Sequence, residues 1–417
     1  MYNYIMSFRD VYKLEKYISN NYNTINRVIV KGKGIYVFDN NNRKYIDCIS
    51  GYSALNQGHC HPNIVKAAEK QIKKLTLTSR AYHNDVMPEY SEKLCKTFNY
   101  EKVLLMNGGV ESGESAIKIA RAWGYNNKYI PENKAISVFF NNNFWGRSLA
   151  ACSSSNDPSC YNNFGPFIPN FKLLDYNNIY QLQAFLAKNP TVVSVMLEPI
   201  QGEGGIIIPD KNYLRDVKEL CHYYNVLMIV DEVQTGLGRT GKLLACDHYN
   251  VKPDILCLGK ALSGGFYPIS AVLTSRKIMS VLKPGTHGST FGGNPLASAI
   301  GIEALNVIIN EKLPKNAECM GEVFRASIKN MNNPYIKEIR GKGLLNGIEF
   351  FTKGYADLFV YNLLQENVLT KTTRDTVVRI TPPLTINGYE MDILLSKINK
   401  ALHRLSTSFQ SSHNRLA

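Results

Sequence analysis

Asp254-Ile255-Leu256-Cys257-Leu258-Gly259-Lys260-Ala261-Leu262-Ser263-Gly264-Gly265 is a short apolar run that delivers one lysine into a cluster of small residues and glycines. A run of that length, bounded by such signals, reads as a buried strand. An ammonium group at the end of a buried strand is costly unless it is paired or used in chemistry. Burial lowers the pKa of a lysine and makes its amine a nucleophile toward carbonyl carbon. A surface lysine just past a strand end fits this stretch too, and is the commoner situation for the residue type.

The run Val226-Leu227-Met228-Ile229-Val230 changes that balance, because Asp231-Glu232-Val233-Gln234-Thr235-Gly236 follows it directly. Lys260 comes 29 positions after Asp231. Strand, connection and strand at that spacing make one step of a parallel sheet, with both strands ending on the same edge. Open α/β sheets bind ligands at that edge. An aspartate and a lysine presented there match the needs of pyridoxal phosphate. The lysine joins the aldehyde, and the carboxylate keeps the pyridine nitrogen protonated so that the ring accepts electrons.

Working outward, Val103 to Met106, Ile136 to Phe140 and Val192 to Leu197 are further strands, and Ala116 to Trp123, Tyr213 to Tyr224 and Leu296 to Ile309 have helical spacing. This alternation is the doubly wound α/β pattern. Asn107-Gly108-Gly109-Val110-Glu111 is a glycine turn opening a helix, which suits a phosphate or serves as plain βα packing. Asn143-Phe144-Trp145-Gly146-Arg147 offers an aromatic that could stack on a flat ring and an arginine that could fork onto a carboxylate. Val28 to Asp39 reads as a hairpin, and Pro62 to Leu75 as a helix. After Ile309 the composition becomes more polar, marking a C-terminal lobe in which Arg379 sits among apolar neighbours and needs an anionic partner. The expected division is an N-terminal segment at 1–55, a large domain at 56–300 with a mostly parallel central sheet, and a C-terminal part at 301–417.

The 417 residues are 44% hydrophobic and 20% charged, ordinary for a globular chain, and no apolar run approaches a membrane span. Nine scattered cysteines argue against a disulfide scaffold and for a reducing compartment. Asp10 and Glu15 run against a transit-peptide pattern, so a cytoplasmic protein is expected. The net charge of +14 fits an enzyme that handles anions, or a basic binding protein. The second reading lacks any basic run of five or aromatic–basic interleaving, so neither nucleic acid nor membrane is expected as a partner.

Three features mislead. His59, Cys60 and His61 resemble metal ligands, but neighbours on an extended chain point to opposite faces. Gly236-Leu237-Gly238-Arg239-Thr240-Gly241 matches a dinucleotide fingerprint, yet Asp231 to Thr235 separate it from the strand. Extended to Lys242-Leu243 it nears a Walker A loop, with Leu243 where a hydroxyl must hold magnesium. The tail from Ser406 reads as polar and disordered.

The sequence resembles the class III, fold-type I pyridoxal-phosphate aminotransferases from about Tyr17 to Leu405, most nearly those acting on ornithine. The segments that carry the resemblance are Asn56 to Pro62, Asn143 to Arg147, Glu198 to Glu203, Asp231 to Gly236, Leu258 to Gly265 and His287 to Pro295. The resemblance implies that the two ends of the chain together form a smaller α+β domain. It also implies that Lys260 binds the cofactor and shuttles the proton, and that Asp231 pairs with the ring nitrogen. Gln234 would contact the ring hydroxyl, with Phe144 and Val233 on either side of the ring. Gly109 and Val110 N–H groups would hold the phosphate, reached from the neighbouring subunit of a homodimer by Thr290 with Ser289. Arg147 and Tyr22 would hold the α-carboxylate of ornithine while Tyr52 shapes the pocket. Arg379 would take the α-carboxylate of 2-oxoglutarate, masked by Glu203 while ornithine is bound. The implied reaction yields glutamate 5-semialdehyde and glutamate. Other ω-amines, N-acetylornithine, 4-aminobutyrate or lysine, remain alternatives. Gly108 departs from the family's usual threonine and removes a hydroxyl near the cofactor. Cys152 and Cys160 flank a polar loop and form a candidate regulatory pair, against the plainer reading of two free thiols.

Overall fold

Near the N-terminus, Ile29–Lys33 (β1) and Tyr36–Asp39 (β2) form the expected antiparallel hairpin, and Lys44–Asp47 (β3) continues the meander. The computed structural model describes residues 8–413; the expectation about a leader therefore lies partly outside the described residues, as do the last four positions. The central sheet follows with Lys102–Met106 (β4), Ile136–Phe140 (β5), Phe171–Leu174 (β6), Val192–Leu197 (β7), Leu227–Asp231 (β8), Ile255–Leu258 (β9) and Ser270–Thr274 (β10). Its order is β4-β10-β9-β8-β7-β5-β6. Every residue of β7, β8 and β9 is buried. Continuous apolar runs of this kind, rather than alternation, are what a sheet covered on both faces requires.

Strands β8 and β9 pair in parallel with Asp231 beside Cys257, so Asp231 and Lys260 leave the sheet at one edge, as their spacing predicts. Strand β10 is the exception in a parallel-rich sheet: it runs antiparallel to both β9 and β4. The connection from β9 holds only a short 3-10 turn, Lys260–Ser263, before the next strand. A parallel return needs a crossover of a dozen or more residues, so a link this short reverses the chain.

Helix Gly109–Asn127 buries Ala116, Ile117, Ile119, Ala120 and Trp123 in a cluster with Ile229, Ile255 and Val272. Helix Tyr213–Tyr223 covers the other face through Leu214, Val217 and Cys221, packed with Val195, Met228 and Val230. In the C-terminal part, Ile336–Lys342 (β11), Leu345–Phe350 (β12), Val368–Leu369 (β13), Lys371–Thr373 (β14) and Val377–Ile380 (β15) complete the strands. One small sheet has the order β11-β12-β15-β14, and the other joins β13 to β3 in parallel. That pairing ties the two ends of the chain together.

Two ends differ most from expectation. The helix from Pro62 stops at Ile72, short of Leu75. The polar tail expected to be disordered from Ser406 continues a helix, Gly388–His413, that buries Leu394, Ile398 and Leu402 on its earlier turns. Packing of those turns nucleates helix that the polar residues extend.

Candidate active site

Lys260 follows β9 with φ of +45°, a left-handed conformation that costs a non-glycine residue about 1 kcal/mol or more. The buried residues of its turn, Ala261, Leu262 and Ser263, hold it there. Burial pushes the Lys260 amine below the ordinary lysine range, against the opposing charges of Asp231 and Glu203. Asp231, buried at the end of β8, accepts a hydrogen bond from the Val233 N–H at 2.9 Å. Burial raises its pKa to about 6, with that hydrogen bond and Lys260 pulling the other way.

The helix that starts at Gly109 supplies the anion site. Glu111 takes the Asn107 N–H at 2.7 Å, the Asn107 side-chain amide at 3.0 Å and the Gly108 N–H at 3.3 Å. The Gly108 carbonyl accepts the N–H groups of Glu111 and Ser112. Gly109 and Val110 therefore present the first-turn donors, at the positive end of a 19-residue helix. A Cβ on Gly109 would fall 2.8 Å from Val233 Cγ1, so glycine lets this turn approach the strand ends.

Gln234 enters the site because residue 202 is glycine: a Cβ there would lie 1.5 Å from Gln234 Oε1. The Gln234 amide N–H donates to the Tyr52 carbonyl at 3.4 Å, and its buried Oε1 has no donor among the described residues. A buried acceptor of that kind suits a hydroxyl-bearing ring. With the first-turn donors, and with Asp231 and Lys260 close enough for each charge to act on the other, the residues fit pyridoxal phosphate.

A cleft of about 860 Å³ opens above. Tyr22, Tyr52, Phe144, Arg147, Glu203, Lys260 and Arg379 line it, so the chain gathers from distant segments the groups the sequence nominated. Arg379, buried on β15, donates to Glu203 at 2.8 Å, which is the anionic partner its apolar setting demanded. Burial drives the Glu203 carboxyl up, but the Arg379 charge and hydrogen bond outweigh it and leave the pKa lowered. Tyr52 has φ of +56°, and its ring lies 5.6 Å from the Arg379 guanidinium carbon. The Arg147 guanidinium sits 5.6 Å from the Phe144 ring.

Ser289 and Thr290 do not line this cleft. Ser289 accepts from the Asn107 amide at 2.9 Å within its own chain, and Thr290 is exposed. The misleading motifs have other roles. His59 contacts Asp47 at 2.8 Å and His61 contacts Glu311 at 3.0 Å, two separate carboxylates. Arg239 is fully buried and donates to Asn56 Oδ1 and the carbonyls of Leu344 and Pro382. The glycine-rich turn around it is thus an internal joint, facing the C-terminal part.

Sequence reasoning assigned no role to Glu198. It follows β7 directly, one register step past the Leu197–Val230 pair, which sets it beside Asp231. Its two carboxylate oxygens accept the N–H groups of Phe144 and Gly202, each at 3.0 Å. Burial and the Asp231 charge push its pKa up to about 8. Its place at the carboxyl end of a buried strand was the available signal. Cys152 Sγ lies 3.8 Å from Cys160 Sγ on the cleft wall, both buried and reduced.

A lysine and a buried aspartate at one sheet edge, with a helix N-terminus beside them, make the site of a fold-type I pyridoxal-phosphate enzyme. The chain belongs to the class-III aminotransferase family, whose model matches residues 17–402. The ornithine aminotransferase, mitochondrial, of Drosophila melanogaster is 50% identical over 387 residues, 93% of this chain and 90% of that one. The crystal structure of the ornithine aminotransferase from Toxoplasma gondii ME49 matches with a TM-score of 0.95 at 48% identity, covering 97% of this chain and 96% of that one. An acetylornithine aminotransferase from Elizabethkingia anophelis matches with a TM-score of 0.88 at 41% identity, covering 96% and 100%.

Proposed function

We propose that this chain is an ornithine 5-aminotransferase, moving the δ-amino group of L-ornithine to 2-oxoglutarate in a ping-pong sequence. The products are L-glutamate 5-semialdehyde and L-glutamate. The observation that carries the reading is the pair of buried Arg379 with half-buried Glu203 in the same cleft as Lys260 and Arg147. An ω-amine must present its far end to the lysine with its α-carboxylate held away, whereas an α-keto acid must present its near carboxylate. One masked arginine and one open arginine serve the two in turn. A bare buried charge is expensive, so Glu203 covers Arg379 until a substrate carboxylate replaces it.

Bound in this site, pyridoxal 5'-phosphate supplies the aldehyde that takes the amino group and a ring that withdraws electrons from the substrate carbon. Gly109 and Val110 would hold its phosphate by backbone N–H groups. Asp231 would keep a proton on the ring nitrogen, and Gln234 would accept from the ring hydroxyl. Phe144 and Val233 would confine the ring. Lys260, its ammonium disfavoured by burial, carries the proton to and from the substrate carbon. Tyr22 and Arg147 hold the ornithine carboxylate, and Tyr52 closes the pocket beside Arg379.

The yellow protein mixed with L-ornithine and no keto acid tests this. Bleaching of the visible band, reversed by 2-oxoglutarate, is expected; a band that ignores ornithine refutes the substrate. N-acetylornithine, 4-aminobutyrate or lysine is the second reading, favoured by the likeness to the acetylornithine enzyme. Tyr52→Ile shifts preference toward 4-aminobutyrate if Tyr52 shapes the pocket.

The working unit is a homodimer in which Ser289 and Thr290 of one subunit reach the phosphate of the other; the exposure of Thr290, away from its own cleft, supports this. Sedimentation at micromolar protein checks it. The reaction belongs to arginine and proline metabolism, and the chain is placed in the cytoplasm, with imaging of a tagged protein as the check. Cys152 and Cys160 form a redox pair in this reading. Their 3.8 Å separation leaves little movement to closure, and a linked peptide after mild oxidation is the expected sign.

A further inference from the structure

The cleft has a second arginine–carboxylate pair, at its mouth. Arg374 stands at the turn between β14 and β15, with φ of +48° followed by Asp375 at +56°. The turn is fixed from both sides: Thr373 pairs with Val377, and Thr373 Oγ1 donates to the Glu203 carbonyl at 2.9 Å. The acid next in sequence is engaged elsewhere, since Asp375 pairs with Lys353 at 2.9 Å. Arg374 faces Asp157 instead, across 3.9 Å, beyond hydrogen-bond distance. Asp157 cannot close that gap freely, because its Oδ1 caps the short helix at Pro158 by accepting the Ser159 N–H at 2.9 Å. Both side chains are about one-third exposed, at 34% and 36%. The inner pair differs on each count: it is hydrogen-bonded at 2.8 Å, and Arg379 is 6% exposed.

We propose that Arg374 is a capture residue for acidic substrates, loosely held by Asp157 and free to exchange it for an incoming carboxylate before the inner arginine takes over. An exposed pair contributes about 0–1 kcal/mol, so releasing Asp157 costs little. Lys371 and Arg147 line the same cleft, giving a cationic wall that Asp157 and Glu203 only partly offset. A cleft lined by one sign of charge concentrates ligands of the other sign and speeds their arrival. Arg374 thereby favours a dianionic keto acid over a diamino acid of net positive charge at the same opening. The inference rests on the proposed use of 2-oxoglutarate and adds a determinant of selectivity to it.

The test uses Arg374→Ala and Asp157→Asn with cofactor bound. Glutarate has both carboxylates and no keto group, so its binding by calorimetry needs no amino donor. Arg374→Ala weakens glutarate binding by about threefold to tenfold and flattens its dependence on salt. Asp157→Asn tightens it. In turnover, Arg374→Ala raises KM for 2-oxoglutarate and leaves KM for ornithine unchanged or lower. Unchanged glutarate affinity in both variants, or equal rises in KM for both substrates, overturns the capture role. Failure of the wild-type protein to turn over ornithine, with the glutarate effects intact, overturns the substrate reading and leaves the capture role standing.

Discussion

Replacing Glu203 by Gln removes one negative charge from the cleft and keeps the side chain's shape. In the native pair the Arg379 N–H meets Glu203 Oε1 at 2.8 Å, with Arg379 almost fully buried and Glu203 30% exposed. Two unit charges about 4 Å apart attract by about 4 kcal/mol at an effective dielectric of 20. A substrate carboxylate regains most of that attraction when it displaces Glu203, and the released carboxylate regains some hydration. About 1–2 kcal/mol remains as the cost of unmasking Arg379, or roughly a factor of ten in affinity. Glu203→Gln is therefore expected to lower KM for 2-oxoglutarate about tenfold. It also lets the α-carboxylate of ornithine compete for Arg379, which presents the wrong amine to Lys260. Rapid-mixing half-reactions with ornithine and with glutamate, followed by assay of 5-semialdehyde against α-keto acid, separate these effects. Half-reactions altered by the same factor, or an unchanged product ratio, would refute the masking argument.

Three further outcomes follow from the same geometry. Asp231 and Glu198 have folded pKa values raised to about 6 and about 8, so the protonated forms stabilise the fold at low pH. That contribution is complete below the unfolded carboxylate range and is lost as pH rises through about 8. Cofactor-free protein should thus lose Tm between pH 5 and 8.5, and Glu198→Gln should flatten the loss; a flat native profile refutes the assignment. Gly109→Ala sets a methyl group 2.8 Å from Val233 Cγ1 and shifts the phosphate turn, weakening cofactor affinity about tenfold in a reconstitution titration, whereas unaltered affinity would contradict the close-approach argument. Gly108→Ser has room, since a Cβ there meets only Val110 Cγ1 at 3.9 Å, and the extended φ of −83° accepts a side chain. A serine cap stabilises the helix by about a few tenths of a kcal/mol and raises Tm slightly, so a fall in Tm would show the turn to be strained.

Strands β5 and β7 were legible to the residue, because a strand buried on both faces must be continuously apolar. Strand β10 was not: Ser270–Thr274 carries a hydroxyl residue at each end although it is as fully buried as β9, and direction depends on the length and path of the preceding link rather than on side-chain pattern. The spacing of Asp231 and Lys260 was enough to place both on one sheet edge, since parallel strands of a single step end together. The resemblance then nominated the cleft residues individually. What it left out is instructive. Glu198 shares its strand end with no visible partner in the sequence, and its role emerges only when the register sets it beside Asp231 and two distant N–H groups reach it.

By itself the sequence determined which groups are available and which edge of the sheet carries the lysine and the aspartate, because strand period and burial are local properties. The tertiary structure decided which charges meet. Arg379 is 176 residues from Glu203, and Arg374 faces Asp157 from another segment. Pairing across such separations depends on how the C-terminal sheet seats against the central one. Nothing local to either residue encodes that distance.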